Sequence, residues 1–96
     1  MIYNNVILTL KDANDAGTVR SMLTELATAS LAEPGCARFE VYHSQDDRRV
    51  FMLVERWETQ AHLDTHREAK AFTALYVPKV LPLLERVPHP CDLVIG

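Results

Sequence analysis

Two histidines, His62 and His66, stand four residues apart in a segment whose apolar residues recur with helical periodicity. Their side chains are expected on one side of a helix, where histidine can act as a base near neutral pH or bind a metal ion. Helical zinc sites of proteases carry Glu after the first histidine, but this chain has Leu63 there, and nothing in the sequence places a third ligand. The pattern therefore favours no metal site, and it leaves a catalytic base or a solvated or structurally bonded histidine as alternatives.

The segment that precedes these histidines is typical of a β-hairpin. Cys36–Ser44 and Val50–Trp57 are rich in aromatic and β-branched residues, whereas residues 45–49 are polar and are expected to turn at the surface. Side chains alternate along a strand, so Phe39 and Arg38 are expected on opposite faces. Neither face of the hairpin is polar throughout, which means that the sheet needs cover on both faces.

A strand and a helix are expected before the hairpin. Ile2–Leu10 alternates like a strand with a partly apolar outer side. An amphipathic helix is expected to follow, capped by Asn14 or Asp15, because these side chains accept hydrogen bonds from the first free amides of a helix. Pro34-Gly35 should end it, since proline cannot continue the ladder and glycine can adopt a positive φ.

A second helical region is expected after the hairpin. Thr59 should cap it, and the apolar pattern continues to Leu84 with a kink or a break at the prolines of residues 78–82. Pro88-His89-Pro90 should end the helical region, and Cys91–Ile95 is predicted to be a last short strand.

The order strand, helix, strand, strand, helix, strand predicts an α+β domain of the ferredoxin-like, split βαβ type. Its four-stranded antiparallel sheet should carry helices on one face. The other face is then bare although it contains apolar residues, and a homodimer with the two sheets packed face to face is the simplest way to cover it. Met52 and Val54 are the residues expected to face the partner.

Composition limits the classes of function. The chain has 96 residues, of which 48% are hydrophobic, and this suits a single domain over residues 1–96. The net charge of −3, with acids and bases interspersed, argues against nucleic-acid binding, and the apolar runs are too short to span a membrane. No leader pattern opens the chain, so a cytoplasmic protein is expected.

Cys36 and Cys91 lack CxxC spacing and are expected to be reduced, mostly buried thiols.

The block from Glu33 to Phe72 resembles the central part of the antibiotic biosynthesis monooxygenase (ABM) family. The matching elements are Glu33-Pro34-Gly35-Cys36, Arg38-Phe39-Glu40, Glu55-Arg56-Trp57-Glu58 and Leu63-Asp64-Thr65-His66. The resemblance implies a dimeric α/β barrel and a small-molecule substrate. Members oxidise polycyclic aromatic quinols with molecular oxygen and no cofactor, cleave haem, act on small signalling metabolites, or have no known reaction.

Two departures from the family narrow the expectation. Many members have Pro-His-Phe where this chain has Lys70-Ala71-Phe72, so a second family histidine is missing. By resemblance, the haem-degrading branch is expected to have a set of Asn, Trp and His in its pocket. The aligned positions here are near Val6 or Asn5, at His66 and at Tyr76, so this set is absent. The resemblance therefore does not extend to haem cleavage.

The chemistry of oxygenation gives each candidate residue a role. A reaction without a cofactor needs an electron-rich substrate, a base to form its anion, and a pocket that excludes water. His66 is the predicted base, because this position matches the family's frequent histidine. Trp57 and Phe72 would form the walls around a flat substrate, while Tyr76 or Arg38 would bind an enolate or phenolate oxygen. The alternative is that the two wall residues belong to the core and that Arg38 pairs across strands.

Three functions follow from these residues. The first is a cofactor-independent monooxygenase that uses molecular oxygen on a quinol or similar small aromatic substrate. The second is an isomerase or another proton-transfer enzyme that uses His66 as its base. The third is a non-catalytic, dimeric binding or stress-associated domain.

Overall fold

The structure is a computed structural model that describes all residues, Met1–Gly96. Its strands and α-helices follow the predicted order: β1 Ile2–Leu10, α1 Ala16–Leu31, β2 Cys36–His43, β3 Val50–Trp57, α2 Gln60–His66 and β4 Leu84–Cys91. A π-helix, Ala71–Val80, and a 3-10 turn, Leu81–Leu83, connect α2 to β4, and another 3-10 turn, Ala13–Asp15, precedes α1.

The four strands form one antiparallel sheet in the order β2-β3-β1-β4. α1 packs against both β2 and the π-helix, so the helical segments form a single layer. The molecule is 18 Å thick in its shortest dimension, which suits one sheet and one helical layer. The predicted ferredoxin-like α+β fold, with helices on one face of a four-stranded antiparallel sheet, is confirmed.

The core lies between the sheet and the helical layer. Val6, Leu8 and Leu10 of β1 are buried, as expected for alternate positions of a strand with one face in the core. α1 buries residues at three- and four-residue steps, as an amphipathic helix does: Val19, Leu23, Leu26 and Ser30. The bulkiest fully buried side chain is Trp57, at the end of β3.

The opposite face of the sheet, called the open face below, has no cover within the chain. Strand register places Tyr42 beside Met52, Met52 beside Ile7, and Ile7 beside Val87, so one apolar row crosses all four strands. Tyr42, Met52 and Val87 are 49%, 41% and 50% exposed. These values are high for apolar side chains in a sheet, where cross-strand neighbours already cover part of each one.

The last strand differs from the prediction. β4 spans Leu84–Cys91 and includes Pro88-His89-Pro90, so the helical region does not reach Leu84, and the predicted strand Cys91–Ile95 is wrong beyond its first residue. The reason is the position of β4 at the sheet edge, where it pairs with β1 alone. An edge strand tolerates proline, because an amide that would point to solvent is not needed for the ladder. Cys91 is consequently exposed and Cys36 half-buried, not mostly buried as predicted.

The predicted signals for helix starts and distortions are observed in part. The Thr59 hydroxyl accepts a hydrogen bond from the His62 amide at 3.2 Å, so the predicted cap of α2 is confirmed. Asp15 is the N-cap residue of α1, as one of the two predicted candidates, but its side chain makes no capping hydrogen bond. Asp12 instead accepts from the Asn14 amide at 2.9 Å and caps the 3-10 turn that leads into the helix. Pro78 lies inside the π-helix, where its missing amide removes a helical hydrogen bond, as expected for a distorted helix.

Gly35 holds the link between α1 and β2 in a conformation that other residues rarely adopt. Its φ is 78°, and an added Cβ would overlap the ring of His62.

We expect Gly35→Ala to lower the free energy of unfolding by about 2 to 4 kcal/mol, from backbone strain and steric overlap together. Chemical denaturation measures this. Gly17→Ala is the matched control, since a Cβ at Gly17 in α1 meets nothing, and it should be neutral or stabilising by up to about 1 kcal/mol. Equal effects of the two substitutions would contradict the prediction.

Candidate functional site

A pocket opens between the sheet and the segment that runs from α2 into the π-helix. Its lining residues are Asn4, Leu26, Phe39, Leu53, Glu55, Leu63, His66, Arg67, Phe72, Tyr76 and Arg86. Most of them are buried, and the less buried Arg67, Phe72 and Arg86 mark the mouth. The pocket leaves about 10 Å³ for the centre of a water molecule, so in this conformation it admits about one water molecule.

His66 is the last residue of α2 and lies in the wall of this pocket, with its side chain only 3% exposed. Its Nδ1 lies 2.7 Å from Oε1 of Glu33, which follows α1 in the chain. An ionised carboxylate only accepts hydrogen bonds, so a carboxylate at Glu33 favours the tautomer of neutral His66 that donates from Nδ1 and presents Nε2 as the acceptor. No protein group bonds to Nε2, and His66 can therefore accept a proton from a molecule in the pocket.

Aromatic rings surround His66 and fix its orientation. The ring centroids of Trp57, Phe72 and Phe39 lie 4.5, 5.5 and 5.8 Å from that of His66. Phe72 and Phe39 line the pocket, whereas Trp57 does not and is fully buried behind His66. The structure thus places Trp57 against His66 and not among the residues that line the pocket.

Glu55 brings a carboxyl group into the same pocket. It is 5% exposed, and its Oε1 accepts a hydrogen bond from the Trp57 indole at 3.1 Å. No protein group donates to its Oε2. Burial raises the pKa of Glu55 above its usual range, although the Trp57 hydrogen bond and the nearby His66 and Arg86 act in the opposite direction. The carboxyl group is thus shifted towards its protonated form.

Tyr76 and Arg86 add two further polar groups to the pocket, which Asn4 and Arg67 also line. The Tyr76 hydroxyl and Nε of Arg86 are both buried without a hydrogen-bond partner. Arg86 is near enough to lower the pKa of Tyr76, but burial dominates and raises it above its usual range. The two groups form no hydrogen bond of ordinary geometry with each other, and both remain free to donate to a ligand oxygen.

Arg38 does not reach the pocket. It lies on the open face, where its side chain bonds to Glu40 with N–O distances of 2.6 and 2.8 Å. Strand alternation places it opposite Phe39, and the bulge between Cys36 and Arg38 does not change this. The structure therefore places Arg38 outside the pocket, whereas Arg86 on β4 and Arg67 beyond α2 line it.

The two histidines of α2 contact different residues. Nδ1 of His62 lies 2.7 Å from the Thr59 hydroxyl, and its ring packs against Gly35, whereas His66 bonds to Glu33. No group of three or more His, Cys, Asp or Glu side chains is arranged to hold a metal ion. His62 is thus a structural residue of the α1–β2 link.

Of the residues predicted from the sequence, His66, Phe72 and Tyr76 line one pocket. Glu33, Glu55 and Arg86 also belong to this site but were not predicted. Glu55 carried a signal, since it alternates with the apolar Leu53 and Trp57 on the core face of β3. A carboxyl group on a buried strand face needs a partner or a function. Arg86 carried none, because its segment resembled a helix end.

None of the helices is both long and apolar enough to cross a membrane.

Several solved structures are similar to this chain over most of its length. A conserved Bacteroides thetaiotaomicron protein of unknown function, described as a possible oxidoreductase, is 28% identical with a TM-score of 0.85, and the match covers 94% of each chain.

Two further structures show the same fold at lower identity. One is an antibiotic biosynthesis monooxygenase that is 23% identical, with a TM-score of 0.85 over 97% of this chain and 99% of the other. A Mycobacterium tuberculosis protein is 21% identical, with a TM-score of 0.86 over 100% and 98%. A search of curated proteins finds no match. The sequence model described as antibiotic biosynthesis monooxygenase matches residues 1–76, and the chain therefore belongs to the antibiotic biosynthesis monooxygenase family.

Proposed function

We propose that the protein is a monooxygenase that uses molecular oxygen, without a cofactor, on a small aromatic substrate of the quinol type. The observation that carries the proposal is the buried His66–Glu33 pair, whose free Nε2 belongs to an aromatic-lined pocket. Such a pair can remove the proton of a quinol hydroxyl and form the electron-rich anion that reacts with oxygen. Membership of the family and the likeness to a possible oxidoreductase support the same reaction class.

Each residue of the pocket has a separate role in the proposed reaction. His66 accepts the proton, and Glu33 orients its ring and stabilises the positive charge that results. Arg86 and Tyr76 hold the negative oxygen of the substrate, because both present an unpaired donor there. Phe72, at the mouth, stacks on the substrate ring.

An aromatic ring needs more space than the pocket offers in this conformation. We propose that the π-helix, which contains both Phe72 and Tyr76, moves outward when substrate binds. Pro78 removes one helical hydrogen bond from this segment, and this lowers the free-energy cost of moving it. The substrate ring then lies between Phe72 and His66, with its anionic oxygen towards Arg86.

Oxygen uptake by the purified, chelator-treated protein tests the proposal. Menadiol and a small panel of other quinols are supplied, beside a control without enzyme, because quinols react with oxygen spontaneously. We expect uptake above that control, with a hydroxyquinone as product. Uptake equal to the control across the panel would count against the function.

A proton-transfer enzyme is the second candidate, because Glu55 and His66 place two proton carriers in one pocket. An isomerase needs such a pair to move a proton between two positions of one substrate. Turnover without oxygen distinguishes the two functions, since an oxygenase must stop. Ligand binding without any turnover would instead indicate a non-catalytic domain.

We also propose that two copies of the chain pair through their open faces. The helical layer covers only one side of the sheet, and the apolar row of Tyr42, Met52, Ile7 and Val87 remains accessible on the other. A second copy of the same face is complementary to this row under two-fold symmetry. The resulting dimer would bury the row without any further element of the chain.

A further inference from the structure

Glu55 is the one acidic group of the pocket, and the roles proposed above do not use it. Glutamate is rarely buried unless it is paired, yet Glu55 has no cationic partner within salt-bridge distance and only the Trp57 indole as a donor. Gln at this position would keep that hydrogen bond. The presence of a titratable carboxyl group is therefore not explained by packing.

Trp57 links Glu55 to His66. Its indole nitrogen donates to Oε1 of Glu55 at 3.1 Å, and its ring centroid lies 4.5 Å from that of His66. The carboxyl group and the imidazole thus share one neighbour and line the same pocket, so a molecule bound there can contact both.

We propose that Glu55 is a second catalytic residue, a protonated carboxyl group that gives its proton to the peroxide formed on the substrate carbon. This role rests on the proposed monooxygenase function. His66 first removes the quinol hydroxyl proton, and the ring carbon next to that oxygen bonds to dioxygen, which leaves a peroxide anion. Glu55 protonates this anion, so the adduct becomes a hydroperoxide and Glu55 a carboxylate.

The same two groups complete the reaction with balanced atoms and electrons. Ionised Glu55 takes the hydrogen from the oxygen-bearing carbon, the electron pair of that C–H bond forms the new C=O bond, and the O–O bond breaks. The leaving hydroxide receives the proton held by His66 and departs as water. Quinol and dioxygen thus give hydroxyquinone and water, and both residues return to their starting states.

The charges around Glu55 fit this sequence. The titratable or charged groups that face it are Cys36 on β2, His66 and Arg67 at the end of α2, Tyr76 on the π-helix, and Arg86 on β4. With His66 neutral, burial keeps the pKa of Glu55 above its usual range and favours the protonated form. Once His66 has taken the substrate proton, its positive charge favours ionised Glu55, which then releases its proton.

Glu55→Gln provides the test, with menadiol as substrate and Glu58→Gln, an exposed site just beyond β3, as the control. In Glu55→Gln the peroxide has no proton donor and is lost, so quinol and oxygen give quinone and hydrogen peroxide instead. We expect the yield of hydroxyquinone per oxygen consumed to fall at least about tenfold, with a matching rise in hydrogen peroxide. Spontaneous oxidation of quinols also gives quinone and hydrogen peroxide, so the ratio is taken from uptake above the control without enzyme, and circular dichroism shows whether the variant is folded. An unchanged ratio would overturn the role of Glu55.

Infrared spectroscopy of the folded protein at pH 7 supplies a second measurement, independent of turnover. Protonated Glu55 should give a carboxylic acid C=O band that Glu55→Gln lacks and Glu58→Gln retains. An ionised Glu55 would overturn its role while leaving the monooxygenase function intact. Absence of oxygen uptake by the unmodified protein would overturn both.

Folding is not expected to limit these experiments. Because the pKa of Glu55 is higher in the folded than in the unfolded chain, its ionisation lowers stability as the pH rises past the unfolded-state value. Glutamine has no such penalty and keeps the acceptor for Trp57. Glu55→Gln should therefore be at least as stable as the unmodified protein at pH 7.

Discussion

Replacement of His66 by alanine is expected to lower quinol-dependent oxygen uptake by at least about 100-fold, the usual contribution of a general base. The imidazole is the only neutral base of the pocket, and Glu33 fixes it with Nε2 as the free acceptor. Without it, the substrate anion forms only to the extent that water can remove the proton. The rate should fall in kcat, because base catalysis acts in the transition state more than in binding.

Two further variants separate catalysis from packing. His62→Ala changes the other histidine of α2, which contacts Thr59 and Gly35 and lies outside the pocket, and it should retain the uptake rate. Glu33→Gln keeps a hydrogen-bond acceptor for Nδ1 but removes the charge that stabilises protonated His66, so a loss of about tenfold is expected. Circular dichroism and thermal unfolding show whether His66→Ala remains folded. Full activity in a folded His66→Ala protein would exclude His66 as the base.

The sequence predicted the strands whose apolar residues alternate and the helices whose apolar residues recur at three- and four-residue steps. The strands β1 and β3 have the predicted bounds, because their alternating apolar residues have one register that buries them. His66 and Phe72 were found because the family block continues through α2 into the π-helix. Only the resemblance singled out His66 from the four histidines, since spacing alone treats it like His62.

The residues that escaped prediction depend on contacts between distant segments. Glu33 meets His66 only because the link after α1 passes beside the end of α2. Arg86 faces the pocket because Leu84–Cys91 is an edge strand, and its prolines had suggested the end of a helix. Arg38 is a different case: strand alternation puts it on the face opposite Phe39, so its position along β2 already directs its charge away from the pocket that Phe39 lines.

Introduction of a charge on the open face is expected to convert a dimer into monomers. Met52 lies in the middle of the apolar row, between Tyr42 on β2 and Ile7 on β1, so Met52→Glu would place one carboxylate from each copy in the proposed interface. An unpaired charge costs several kcal/mol to bury, and two of them should weaken the dimer by more than about 100-fold. Light scattering should give roughly twice 10.9 kDa for the unmodified protein and 10.9 kDa for the variant.

A charge on the opposite side of the molecule separates this effect from a general loss of stability. Thr24→Glu adds the same charge at an exposed position of α1, and it should leave the dimer intact. Val54→Asp, on the open face one alternate position along β3, should act like Met52→Glu. The pocket that His66 lines is on the other face of the sheet, so a folded monomeric variant would retain it and reveal whether catalysis needs the second copy. A mass of 10.9 kDa for the unmodified protein at all concentrations would exclude the face-to-face dimer.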